Sequence, residues 1–120
     1  MLHGKGEVMR RQVIEQTAMD VAHQVRAVED SIEAALIELA ELQNRMIRAR
    51  SVAGVGIATG HDALEQVVVS LQGLIHARGG MAQCHAALVT AKEQVPGLRT
   101  VSFGDGLECP DKVAQLRVVS

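Results

Sequence analysis

The chain has 120 residues, 48% of them apolar, with 12 basic and 14 acidic side chains and a formal net charge of −2. That length favours one domain, residues 1–120. The near-neutral balance disfavours binding to polyanions by bulk charge, and one aromatic residue, Phe103, leaves almost nothing for nucleobases to stack on. Leu, Ile, Val and Phe number 34 in all, about 28% of the chain and above the level at which disorder is the default. A core is therefore allowed, but 16 of the apolar residues are alanines, so it is built from small side chains.

The first residues, MLHGKGEVMRRQVIEQ, contain no apolar run of signal-peptide length. No segment reaches 18 uninterrupted apolar residues, so no membrane span is expected. The expected compartment is the cytoplasm. Cys84 and Cys109 have no C-x-x-C spacing and are expected to be free thiols there.

From residue 7 to about 52 there is neither glycine nor proline, and the spacing predicts one long helix. Apolar residues fall at Ile14, Ala18, Val21, Val25, Val28, Ile32, Ala35, Leu39, Leu42, Met46 and Ala49. The steps alternate four and three without a miss, which is a heptad repeat. Ala22 and Leu36 widen this seam on one side, as suits a bundle better than a strict two-stranded coil. The eleven positions are the expected oligomer seam.

Residues 53–61 are a glycine-rich connection carrying Gly54, Gly56 and Gly60. A second helix is expected over 62–95, opened by Asp62 and Glu65 at capping-box spacing. Its apolar line reads Leu64, Val67, Leu71, Leu74, then Met81, Cys84, Leu88, Ala91 and Val95, with a phase slip near Ala77 and Arg78. Gly79 and Gly80 follow that slip, and the helix either bends there or divides in two. Pro96 and Gly97 end the helical part. Residues 96–120 mix β-formers with turn residues and read as a short β-hairpin or extended arm.

The expected fold is mainly α: a long hairpin of two antiparallel helices that assembles into an oligomeric bundle. Two helices in contact hide one face each and leave broad apolar flanks wet. A second copy can cover them, which favours a dimer. An acid-rich stretch from Glu15 to Glu41, with Arg26 as its one base, is read as a solvated face. Arg45, Arg48 and Arg50 then meet the negative end of the helix dipole. Lys5, Arg10 and Arg11, without aromatic support, are too few to suggest nucleic acid.

Reactive constellations are sparse. Asp20 and His23 have the carboxylate-x-x-His step of di-metal bundles, but they lie off the seam and the step is not repeated. Cys84 and His85 are adjacent, and helical neighbours point about 100° apart rather than at each other. Cys84 lies on the apolar line and reads as a small buried hydrophobe. The glycines at 54, 56 and 60 follow a helix instead of a strand and do not match a dinucleotide loop. No catalytic, cofactor or metal residue is therefore assigned. The expected function is a non-enzymatic, self-associating interaction or scaffold module, with an unidentified protein as a further partner. The alternative is a small-molecule or metal-binding bundle, catalytic or not, using His23, His61, His76, His85 or Cys84.

Overall fold

The computed structural model describes residues 2–95. These form two α-helices, α1 (Leu2–Ala53) and α2 (His61–Lys92), and no strand occurs among the described residues. The expected β-hairpin or arm at 96–120 lies outside them.

Helix α1 begins at Leu2, not at residue 7, because Gly4 and Gly6 are absorbed into it. An isolated helical glycine costs only about 1 kcal/mol relative to alanine, so it weakens a helix end without breaking it. The helix stops where Gly54 takes φ +68 and donates its amide to the Ser51 carbonyl at 3.1 Å. An L-residue resists that left-handed conformation, and glycine does not. Arg50 Nη1 then donates to the Val55 carbonyl at 2.9 Å and ties the connection back to α1.

Helix α2 opens differently from expectation. Gly60, at φ +76, accepts from the Leu64 amide at 3.1 Å, so glycine takes the capping place. Asp62 sits inside the first turn, beside the positive end of the dipole. Glu65 Oε1 lies 2.9 Å from His61 Nε2, an ion pair when the imidazole is protonated, rather than closing a box with Asp62. The helix continues through Gly79 and Gly80 as one element. It ends at Lys92, and residues up to Val95 form tighter turns. Pro96 disfavours helical geometry in the residue before it, which explains the early stop.

The chain forms two compact units. Among the described residues, one comprises 2–27 with 82–95. Its core is Ala18 and Ala22, with Ile14 and Val95 packed against them; Val25 is buried as well. The other, Val28–Met81, is a closed hairpin. Its helices are antiparallel, since Glu33 well before the turn pairs with Arg78 well after it. Val67 is buried at 7% exposure, and Ile32, Leu36, Leu39 and Met46 of α1 are half-buried, as are Leu64, Leu71 and Leu74 of α2.

Candidate functional site

The eleven seam positions separate into two groups. Ala18, Val25, Ile32, Leu39 and Met46, seven residues apart, all lie on the covered side of α1. So do Ile14, Val28 and Ala35. Val21, Leu42 and Ala49 are exposed, and Ala22, Gln43 and Arg50 are the more covered residues beside them. The covered line from Ile14 to Arg50 takes 36 residues in ten steps, the period of an ordinary α-helix. One set of heptad positions stays covered along the whole line, and the other set, displaced to one side of it, is covered only at Ile14, Val28 and Ala35.

On α2 the line keeps its phase through the glycine pair. Its covered residues are Leu64, Val67, Leu71, Leu74, Met81, His85, Leu88 and Lys92, and the steps alternate three and four once the exposed Arg78 is counted at the intervening place. The expected slip near Ala77 does not occur, because the helix is not broken there. Cys84 is consequently exposed rather than buried, and Ala91 is exposed too. His85 and Lys92 take the covered places, at 5% and 8% exposure. Sequence reasoning passed over both because it sought apolar residues. The signal was the seven-residue spacing of Arg78, His85 and Lys92, in register with Leu71.

The polar candidates do not converge. His23, His61 and His76 are exposed, and His61 is paired with Glu65 on its own helix. Cys84 faces solvent while His85 faces inward, so the adjacent pair is split across the helix. Among the described residues, no three His, Cys, Asp or Glu side chains lie together as a metal site requires.

What the units do present is apolar surface. In the unit Val28–Met81, a concavity of about 600 Å³ lies at the turn of the hairpin. Met46, Ile47, Val55, Ile57 and Leu64 line it, with Arg50 and His61 as its charged or titratable members. In the other unit, a shallower groove of about 390 Å³ is lined by Val13, Ile14, Val21, Leu88 and Val95, together with the buried Lys92. Beyond these, Ile37, Val52, Val68, Val69 and Ile75 are exposed. Among the described residues, no large side chain is fully buried. No described helix is long and apolar enough to cross a membrane.

The chain matches no protein-family model, no curated protein and no solved structure.

Proposed function

We infer that this chain is a non-enzymatic helical module that associates with itself and serves as an interaction or scaffold element, working in the cytoplasm. One observation carries the reading: the buried apolar side chains among the described residues are Ala18, Ala22, Val25 and Val67, while fourteen of valine size or larger are exposed. Helix formation is weakly favourable in water, and most helical stability comes from packing an apolar face. Four small side chains supply little of that. The flanks left open by each helix pair are what a second copy covers in a dimeric bundle. The seam from Ile14 to Ala49 contributes at Val21, Leu42 and Ala49, which remain accessible.

Sedimentation equilibrium tests the reading. A dimer or larger species is expected, with a thermal midpoint that rises with protein concentration. A monomer at all concentrations up to about 1 mM overturns it.

A second reading rests on the concavity of about 600 Å³ at the hairpin turn, whose size and apolar lining suit a small apolar molecule. Native mass spectrometry of purified protein tests it: a bound small molecule, lost on Ile47→Asp, favours a ligand-binding bundle.

A further inference from the structure

The unit of residues 2–27 and 82–95 is thinly closed. Its core is Ala18 and Ala22, and the apolar groove of about 390 Å³ lies beside them. Val13 at its rim is 64% exposed and Val21 is 41% exposed, while Ile14, Leu88 and Val95 are half-buried. Val95 both lines the groove and packs with Ile14 against the alanine core. It is also the last described residue, so the chain runs on into residues 96–120 from the lip of the groove.

The sequence beyond the lip has the means to turn back. Val95-Pro96-Gly97-Leu98 carries proline and glycine at the two central places of a type II turn, which needs a fixed negative φ and then a positive one. Such a turn brings the Cα of residue 98 within about 7 Å of that of residue 95. From Leu98 to Phe103 every second or third residue is apolar, and Phe103 is the chain's one aromatic side chain. In an extended chain Val101 and Phe103 share a side. A short arm of this kind has no core of its own in which to bury that side.

Length and tethering agree. Ile14 to Val21 along α1 is about 10 Å. Three extended residues cover the same distance and six reach about 20 Å. An arm that starts beside Val95 therefore brings Val101 level with Val21 and still has Phe103 to lay over the apolar lining. Arg99 follows the turn closely, and its long side chain reaches water at the lip. A two-residue tether supplies the arm at an effective concentration on the order of millimolar, whereas a second copy arrives only at its bulk concentration. We propose that residues 98–103 fold back as an extended strap over this groove of their own chain, with Val101 beside Val21 and Phe103 seated on the apolar lining.

This occupant is intrachain and does not depend on the self-association inferred above. In the full chain with Cys84→Ser and Cys109→Ser, Val21→Cys reports on the groove, and Ile37→Cys, 68% exposed in the other unit, is the control. Maleimide labelling is compared with and without Val101→Asp plus Phe103→Asp at several protein concentrations. The acidic pair is expected to speed labelling at 21 by at least about 10-fold at every concentration and to leave 37 unchanged. Equal rates at 21 overturn the strap. Protection at 21 that appears only as concentration rises gives the groove to a second copy and overturns it as well. Where the aspartates cost helix content, Val21→Cys with Val101→Cys in the same serine background keeps the strap testable. Mild oxidation is expected to give an intrachain disulfide, seen as a faster-migrating monomer that reduction reverses. Disulfide-linked dimers alone, or free thiols throughout, overturn the strap.

Discussion

Arg78 Nε donates to Glu33 Oε1 across the hairpin and joins two helices at positions 45 residues apart. Both side chains are more than half exposed. The pair therefore marks the antiparallel register of the unit Val28–Met81 more than it stabilises it. The hydrogen bond donated to Glu33, and then the charge of that carboxylate, hold the Arg78 guanidinium above its ordinary pKa. A raised pKa means the contribution is complete below the unfolded value and is lost only as pH rises through the folded one.

A double-mutant cycle on this pair, Glu33→Gln and Arg78→Gln, is expected to give a small coupling that fades in high salt. Alkaline titration up to about pH 11 leaves the arginine end charged, so stability there does not change through Arg78. Thermal unfolding at two salt concentrations checks the first point, and unfolding midpoints across the alkaline range check the second.

Glycine substitutions are expected to have opposite signs at different places. Gly60 has φ +76, and a methyl group added there would meet open space, so Gly60→Ala fails through backbone strain alone. A loss of about 1 kcal/mol is expected. Gly79 and Gly80 are helical with equally open surroundings. Gly79→Ala and Gly80→Ala should each stabilise the helix by up to about 1 kcal/mol. Urea midpoints compare the three; a loss at 79 or 80 means that another chain approaches there.

Two neighbouring valines on α2 distinguish core from flank. Val67 is buried, and Val69 is exposed at 56%. Val67→Ala is expected to cost about 1–2 kcal/mol by removing packed methyl groups. Val69→Ala should be within about 0.5 kcal/mol of neutral. Chemical denaturation of both variants measures the contrast.

Divalent zinc, nickel or cobalt is expected to leave the thermal midpoint unchanged, because His23, His61, His76 and Cys84 do not converge with each other or with carboxylates in the described residues. A saturable rise in midpoint with any of these ions, abolished by a histidine substitution, would sink this expectation and revive the metal-binding reading.

Part of the candidate surface was legible in the sequence. The heptad from Ile14 to Ala49 announced a helix with a wide apolar stripe, and Leu36 was visible as a widening residue. The concavity lined by Ile47, Ile57 and Leu64 was not, because it exists only when α1 and α2 lie side by side. The inward places of His85 and Lys92 were hidden for a different reason. Apolar content traces the line, and a buried base is invisible to that rule.

Helix existence, the glycine-rich break between the helices and the stop before Pro96 were properties of the sequence itself. Each depends on backbone preferences and hydrogen bonds within a few residues, which local composition expresses directly. Which side of each helix is covered, whether Gly79 and Gly80 interrupt α2, and that Glu33 finds Arg78 were decided by tertiary structure. Those outcomes depend on how one helix is rotated and slid against another, a non-local choice that many neighbouring residues weigh on at once.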